Sequence, residues 1–474
     1  MREPGASRGA RASLGIRSGE FRGRADSDRP ASPARRAARV PRTLGRWAWL
    51  AAPLVLAAMG IQALGAAEAR SAELRAGFGV AALPAPADGV LAGYGGLRSR
   101  RAEELLDPPQ ARALVLEEDG SRVAIVTLDL LIARPALREG VLNASGDLRL
   151  DGLALVATHT HSGPGGFVPG RLAARVMGGG FQPGMPRELA QSAARALHRA
   201  VSDLAPARVR SGEGSLELAR NRRSPTGPRE TALPLIRLDP IASGRPILLF
   251  AYGAHPTVLS PRSRAYSADY VGAARSWLED RGWRPIFLPG PLGDQEPISE
   301  LGPPWPRSVA HQRAQLSEIG ARLGRAVQQL AAGLGPPVLD APQRRRLELR
   351  ETWIRLPPAR LRRFCPAWWL SPLVRGSLRG LISRQAPVQA LRIEDAWLVL
   401  LPAEPSSALA AALREERPRR GPLFVIAHAN DWLGYVVSAE RYRRGGYEAC
   451  MSFFGEGFAE RLVREAHELV DASP

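Results

Sequence analysis

Leu-Ala-Leu-Val-Ala-Thr-His-Thr-His-Ser-Gly-Pro-Gly-Gly-Phe, residues 153–167, joins an apolar run to two histidines and then to small residues. The apolar run over 153–157 predicts a buried strand. His159 and His161 are two residues apart, which on a strand places both imidazoles on one face. The following Ser-Gly-Pro-Gly-Gly cannot continue a strand, so the pair lies where strand becomes loop, a common position for binding sites. One core histidine beside one exposed histidine is the alternative interpretation.

Apolar runs and amphipathic segments alternate along the rest of the chain. Strand patterns cover 123–128, 246–252, 285–288, 388–393, 397–401 and 423–427. Helix patterns cover 186–205, 268–280, 309–334 and 457–470. The 474 residues are 45% hydrophobic, which is ample for a large core. The sequence therefore predicts an α/β (mixed α+β) fold, a single large domain over 76–474 with central mixed sheets flanked by helices.

The charge of the chain is strongly positive but carries no nucleic-acid signature. The formal net charge is +19, and all 65 basic residues are arginine. No basic stripe is interleaved with stacking aromatic residues, so we expect no nucleic-acid partner. Cys365 and Cys450 lie in no Cys-x-x-Cys or Cys/His array, and the sequence favours two ordinary thiols.

The N-terminus predicts export or membrane anchoring. Residues 1–46 are rich in Arg, Gly, Ser, Pro and Ala and predict a disordered basic arm. Residues 47–67 carry no charge and are long enough to cross a bilayer, as a signal anchor or a cleaved signal peptide. Either interpretation places the rest of the chain outside the cytoplasm. Residues 357–387, dense in Pro, Arg and Trp, are compatible with a lipid-facing lip or an ordinary surface loop.

Three histidines follow predicted strands and are candidate metal ligands. His255 repeats the pattern of His159 and His161, because an apolar strand again runs into small residues and then a histidine. Glu404 follows the buried strand 397–401 and can supply an oxygen ligand. Imidazole and carboxylate are the usual protein ligands of a catalytic zinc ion. The pattern predicts a mononuclear metal hydrolase. His428 also lies at a strand end, but the sequence shows no evident partner for it.

An ordered set of motifs resembles the neutral/alkaline non-lysosomal ceramidase family. Ala-Thr-His-Thr-His-Ser-Gly-Pro-Gly-Gly at 157–166 is similar to the family signature, and further pieces follow in order from about 76 to 470. They are Gly93-Tyr94-Gly95, Leu128-Asp129-Leu130, Asn221-Arg222-Arg223-Ser224-Pro225, His255-Pro256-Thr257, Ser267-Ala268-Asp269-Tyr270, Pro402-Ala403-Glu404, Asn430 to Tyr435, Glu440, Tyr442 and Tyr447-Glu448.

The resemblance implies one zinc ion per chain and assigns roles to particular residues. The zinc ligands it implies are His159, His255, Glu404 and Tyr435. It places His161 behind them, positioned to hydrogen-bond the substrate or to move a proton. It also implies substrate contacts for Gly93, Tyr94 and Arg222.

Two departures separate this sequence from the family pattern. The family has Gly-Asp-Val-Ser-Pro, with the nucleophilic serine or its neighbour, where this chain reads Gly293-Asp294-Gln295-Glu296-Pro297. We therefore expect attack by a zinc-activated water, with Glu296 or His161 taking the proton. The chain also stops about twenty residues after Gly455, which predicts a short bacterial-type member without the family's C-terminal immunoglobulin-like domain.

The expected activity is hydrolysis of an N-acyl amide such as ceramide into a fatty acid and an amine. The expected partners are a lipid-like N-acyl substrate and a membrane surface. Two alternatives stay open on the sequence: a zinc esterase or amidase for non-lipid substrates, and a non-catalytic envelope-anchored homologue.

Overall fold

The computed structural model describes residues 74–471, with gaps at 95–98, 171–173, 175–176, 178, 304–307, 336–346, 363–364, 366–380 and 416–420. Internal contacts divide the chain into Met1–Ala69 and Arg70–Pro474, and only the second unit contains described residues. The predicted basic arm over 1–46 and apolar segment over 47–67 lie outside the described residues, as does most of 357–387. No described helix is both long enough and apolar enough to span a bilayer.

Strands and helices alternate through the described chain. The strands are β1 (Arg75–Ala82), β2 (Glu104–Leu105), β3 (Gln110–Glu118), β4 (Ser121–Leu128), β5 (Gly152–Ala157), β6 (Ala205–Ser215), β7 (Ala219–Asn221), β8 (Ala232–Pro240), β9 (Ile247–Tyr252), β10 (Ala265–Tyr266), β11 (Arg284–Pro289), β12 (Gln295–Pro297), β13 (Leu347–Arg355), β14 (Gln385–Ile393), β15 (Ala396–Leu400), β16 (Glu404–Pro405), β17 (Leu423–Ile426) and β18 (Tyr435–Val436). The helices are α1 (Pro135–Ala144), α2 (Met185–Ser202), α3 (Tyr270–Glu279), α4 (Val309–Gly333), α5 (Ser407–Glu415), α6 (Ala439–Arg444), α7 (Tyr447–Cys450) and α8 (Phe458–Asp471).

Two mixed sheets form the centre of the described fold, which confirms the predicted α/β class. The larger has the strand order β11-β9-β8-β6-β1-β3-β4-β5, and the smaller has the order β13-β14-β15-β17. β4 and β5 are parallel, as are β9 and β11, whereas β1, β3 and β4 pair antiparallel. All the strands and helices predicted from the sequence are present, with ends that differ by a few residues.

The sheets pack face to face and helices cover their outer faces. Leu249 of β9 and Leu398 of β15 belong to the core between the sheets, whereas Phe250, the next residue of β9, packs with α3 and α4. Helices α1 and α2 cover the β1–β5 half of the large sheet, and α5 and α8 cover the small sheet. Because strands such as Ile247–Tyr252 are buried on both faces, their sequences read as continuous apolar runs.

The large sheet curls until its two edges approach each other. β11 contacts β3, β4 and β5, although β11 and β5 are at opposite ends of the strand order. The segment Ala427–Asn430, directly after β17, joins these edges through backbone hydrogen bonds. The N–H of Ala427 donates to Pro289 O at 2.9 Å, and the N–H of Asn430 donates to Leu155 O at 2.7 Å. Strand ends that are far apart in sequence therefore meet at one place.

Candidate metal centre and cavity

His159, His255 and Glu404 come together at the meeting place of the strand ends. The side chains offer ligand atoms that all lie within 4.8 Å of one another, and all three residues are buried. Oε2 of Glu404 lies 3.4 Å from Nε2 of His255 and 3.6 Å from Nε2 of His159. These three residues were predicted as ligands from sequence, and the fold makes the grouping possible because each follows a strand that ends at this edge.

Backbone carbonyls fix the orientation of both imidazoles. Nδ1 of His159 lies 2.7 Å from Leu131 O, and Nδ1 of His255 lies 2.6 Å from Leu292 O. A carbonyl can only accept, so each Nδ1 carries the proton and each Nε2 presents its lone pair to the cluster. His159 adopts a left-handed backbone conformation with φ of 68°, which is strained for a non-glycine residue and is common at functional sites.

Tyr435 and Glu404 are adjacent because β16 and β18 pair in parallel register. The Tyr435 hydroxyl lies 3.2 Å from Nε2 of His255 and accepts a hydrogen bond from Nη2 of Arg222 at 3.0 Å. Nε1 of Trp432 donates to Oε1 of Glu404 at 2.7 Å, which leaves Oε2 buried and without a hydrogen-bond partner among the described residues. An orphaned buried carboxylate oxygen facing two imidazole nitrogens fits a metal ion.

Burial sets the protonation of the cluster. It lowers the pKa of His159 and lowers that of His255 to about 3, so both imidazoles are neutral near pH 7. Burial acts to raise the pKa of Glu404, but the neighbouring imidazoles outweigh it and hold that pKa well below its usual range. Two neutral imidazoles and one carboxylate are the donor set that a divalent transition metal prefers.

His161 lies beside the cluster and packs against the segment around Gly93. Its Nε2 is 3.4 Å from Nε2 of His159, and burial lowers its pKa well below the usual value. Nδ1 of His161 is buried, and no described residue forms a hydrogen bond with it. A Cβ atom at Gly93, whose φ is 81°, would come within 2.7 Å of this imidazole, so only glycine fits. The Tyr94 ring packs on His161, with 4.7 Å between centroids.

The cluster forms part of the wall of a cavity of about 630 Å³. All nine residues predicted for the site line this cavity: His159, His161, His255, Glu404, Tyr435, Glu296, Gly93, Tyr94 and Arg222. Glu296 has a charged partner in the cavity wall, because β7 pairs with β12 and places Arg220 directly opposite Glu296. Nε of Arg220 donates to Oε1 of Glu296 at 2.7 Å.

Sequence reasoning missed two features of the site. His428 is fully buried and its ring stacks on His159 at 3.9 Å between centroids, so the interpretation of a histidine without a partner was wrong. The prediction of two ordinary thiols was also wrong, because Cys365 and Cys450 form a disulfide with Cα atoms 5.6 Å apart. The members of both pairs, His159 with His428 and Cys365 with Cys450, are far apart in sequence and are brought together by the fold. The only sequence signal for His428 was its position after an apolar strand.

Comparisons with known proteins agree with the fold and with the motifs. Residues 76–284 match the family model described as neutral/alkaline non-lysosomal ceramidase, N-terminal. The chain is 24% identical to a neutral ceramidase of Mycobacterium tuberculosis (strain ATCC 25618 / H37Rv), over 84% of this chain and 77% of that protein. It is 28% identical over 200 residues to a neutral ceramidase of Drosophila pseudoobscura pseudoobscura, which is 38% of this chain and 28% of that protein.

Two solved structures share the fold. The crystal structure of neutral ceramidase from Pseudomonas aeruginosa superposes with a TM-score of 0.69 at 22% identity, covering 84% of this chain and 74% of that chain. A ceramidase complexed with C2 superposes with a TM-score of 0.70 at 21% identity, covering 84% of this chain and 75% of that chain.

Proposed function

Because the chain belongs to the neutral/alkaline non-lysosomal ceramidase family, we propose that it is a zinc-dependent amidohydrolase. Its substrate would be an N-acyl amide such as ceramide, cleaved into a fatty acid and an amine. The observation that carries the proposal is the buried grouping of His159, His255 and Glu404 in the wall of a large cavity. The names of the related proteins support the same reaction.

The donor atoms suit zinc, with Tyr435 as the fourth residue that would hold it. Two ligand atoms of a tetrahedral zinc ion are about 3.3 Å apart. The separations of 3.4 Å between His255 and Glu404 and 3.2 Å between His255 and Tyr435 are of that size. When bound, the ion would polarise the amide carbonyl and lower the pKa of a water molecule.

The residues around the cluster would orient the substrate and move the proton. Arg222 donates a hydrogen bond to the Tyr435 hydroxyl, and Trp432 donates one to Oε1 of Glu404. These bonds keep the Tyr435 hydroxyl and Oε2 of Glu404 oriented toward the site. His161 and Glu296 are the two candidates that would accept a proton and deliver it to the leaving amine. His161 lies against the cluster through Nε2, whereas Oε1 of Glu296 is engaged by Arg220.

The test of this function is metal analysis of the purified full chain together with a fluorogenic N-acylsphingosine assay, with and without chelator. We expect close to one zinc per chain and chelator-sensitive hydrolysis that zinc restores. His159→Ala should lose both, whereas His198→Ala should keep both, because His198 is a half-exposed histidine on α2. Absence of zinc would contradict the proposal. Zinc without hydrolysis of N-acylsphingosine would favour a zinc esterase or amidase for non-lipid substrates, or a non-catalytic homologue.

We further propose that the described domain is extracytoplasmic and membrane-anchored by residues 47–67, close to a lipid substrate. The Cys365–Cys450 disulfide supports this location, because disulfides persist in oxidising compartments. Cell fractionation with a protease-accessibility assay tests it. Recovery of the chain in the cytosol with both thiols reduced would contradict it.

A further inference from the structure

Three arginines from one short segment line the cavity beside the candidate metal centre. Arg220 lies in β7, and Arg222 and Arg223 follow directly after it. We call these three residues the arginine wall. Each bonds a carboxylate: Nε of Arg220 reaches Glu296, and Nε of both Arg222 and Arg223 reaches Glu448. The wall is therefore held in place by acidic residues on β12 and α7.

The positive charge of the wall exceeds the negative charge that holds it. Two carboxylates, Glu296 and Glu448, serve three guanidinium groups, and Glu448 is fully buried. Arg441 also approaches Glu448, at 3.7 Å, and takes a further share of its charge. A divalent cation at the neighbouring cluster would outweigh the charge of Glu404. A cavity of this sign, with walls of low dielectric constant, attracts an anionic group.

Two members of the wall keep donors with which to bind that group. Arg222 is committed, because its Nη2 donates to Gly293 O and to the Tyr435 hydroxyl. Among the described residues, the side chains of Arg220 and Arg223 make hydrogen bonds through Nε alone. Their side chains are 50% and 34% exposed. The amino groups of Nη1 and Nη2 form the fork that binds a carboxylate or a phosphate through two parallel bonds.

We propose that the arginine wall binds an anionic group on the amine half of the substrate, an inference that rests on the proposed amidohydrolase function. The preferred class would be N-acyl amides whose amine half carries a carboxylate or a phosphate, such as N-acyl amino acids. The acyl half would lie on apolar residues of other segments that line the same cavity, among them Leu131, Ile132, Met177 and Met451.

The experiment compares amides that share one dodecanoyl chain and differ in the charge of the amine half. N-dodecanoylglycine carries a carboxylate, N-dodecanoyl phosphoethanolamine carries a phosphate, and N-dodecanoylethanolamine is neutral. We expect kcat/KM for an anionic amide to exceed that for the neutral amide by about tenfold or more, as charge-assisted hydrogen bonds provide. The two anionic amides distinguish a carboxylate site from a phosphate site, and preference for either supports the proposal.

The variants Arg220→Gln and Arg223→Gln test the residues themselves. In each we expect the ratio of anionic to neutral kcat/KM to fall toward one. Arg195→Gln, an exposed arginine on α2, is the matched control and should keep the wild-type ratio. The ratio is internal to each preparation, so a partly unfolded variant does not mimic the effect, and Arg223→Lys tests whether charge without the fork suffices.

The outcomes distinguish failure of the inference about the arginine wall from failure of the proposed amidohydrolase function. Hydrolysis of the neutral amide at a rate equal to or above the anionic amides overturns the inference and leaves the proposed function standing. An unchanged ratio in both glutamine variants also overturns it. Hydrolysis of none of these amides by zinc-loaded protein that still cleaves N-acylsphingosine overturns the inference alone. Failure on N-acylsphingosine as well overturns the proposed function and the inference together.

Discussion

His428 lies flat against His159, with 3.9 Å between ring centroids and 18° between ring planes. The stack is buried, and neither nitrogen of His428 has a hydrogen-bond partner among the described residues. The residue also has a positive φ of 55°. Because a buried unpaired imidazole and a strained backbone both cost free energy, we interpret the ring as a support that restricts rotation of His159 about its Cβ–Cγ bond.

Replacing His428 should affect metal affinity through the shape of the side chain. His428→Leu removes the flat surface and should weaken zinc binding by about tenfold, the size of effect seen for groups that orient metal ligands. His428→Phe keeps an aromatic plane and should retain affinity within about threefold. Competition with a chromophoric chelator measures both. Equal loss in the two variants would show that the ring nitrogens, rather than the stack, matter.

The hydrogen bond from Trp432 to Glu404 gives a second prediction about metal affinity. Trp432→Phe keeps an aromatic ring beside Phe453 but removes the Nε1–H that Oε1 of Glu404 accepts. We expect zinc affinity to fall by about tenfold with a small change in the unfolding midpoint of the metal-free protein. Chelator competition and thermal melts check the two parts. Wild-type affinity in this variant would mean that Glu404 needs no partner to stay oriented.

Glu296 and His161 can be separated by turnover. If Glu296 accepts the proton, Glu296→Gln should lower kcat by about 10²-fold or more, with zinc content unchanged. His161→Gln should then have the smaller effect, and the order reverses if His161 is the acceptor. Single-turnover rates on one amide substrate decide between them. Turnover in Glu296→Gln equal to wild type would exclude that residue from proton transfer and leave it as the partner of Arg220.

The disulfide should contribute to stability and to the cavity wall. Cys365–Cys450 closes a sequence separation of 85 residues, and a bond of this kind typically contributes about 2–4 kcal/mol to the free energy of unfolding. Cys450 ends α7, which carries Tyr447 and Glu448. Cys365→Ser/Cys450→Ser should therefore lower Tm and raise KM more than it lowers kcat. An unchanged KM would mean that α7 holds its position without the bond.

Asp269 should make stability depend on pH. Its carboxylate caps α3 and accepts backbone N–H groups of Val258, Leu259 and Tyr270, but burial raises its pKa to about 6. The folded state then holds this proton more tightly than the unfolded state. The contribution of Asp269 to the free energy of unfolding is therefore fully present below the unfolded pKa of about 3.9 and is lost as pH rises to about 6.

Urea unfolding at several pH values between 4 and 7 measures this dependence. Asp269→Asn cannot titrate, so its stability should decline less than that of wild type over the same range. The comparison concerns the slope, because the variant also loses an acceptor and has a lower stability throughout. Parallel curves for the two proteins would contradict the assignment.

The sequence predicted the elements of this fold better than the contacts among them. Strands such as Ile247–Tyr252 are buried on both faces, which leaves an unmistakable apolar run, and the histidines after them mark the edge where a site forms. For this reason the sequence alone could identify four residues as candidates for the site: His159, His161, His255 and Glu404. Tyr435 came from family resemblance alone, because a tyrosine in an apolar stretch is normally a packing residue.

The contacts that sequence reasoning missed all join distant parts of the chain. His428 reaches His159 because the large sheet curls and Ala427–Asn430 joins its edges, and no local pattern encodes that curl. Arg222 was predicted to touch the substrate, and the structure adds its bond to Tyr435, 213 residues away. The pairing of Cys365 with Cys450 depends in the same way on where α7 packs.

The joining of the two sheet edges by Ala427–Asn430 also determines when the metal centre can exist during folding. His159 and His255 leave the ribosome long before Glu404 and Tyr435, and contacts over such sequence separations form slowly because loop closure must come first. A nascent chain that ends before residue 404 holds two imidazoles but no centre. High-affinity metal uptake would thus report completion of the whole domain, and metal supplied during folding would favour the native topology over misfolded alternatives.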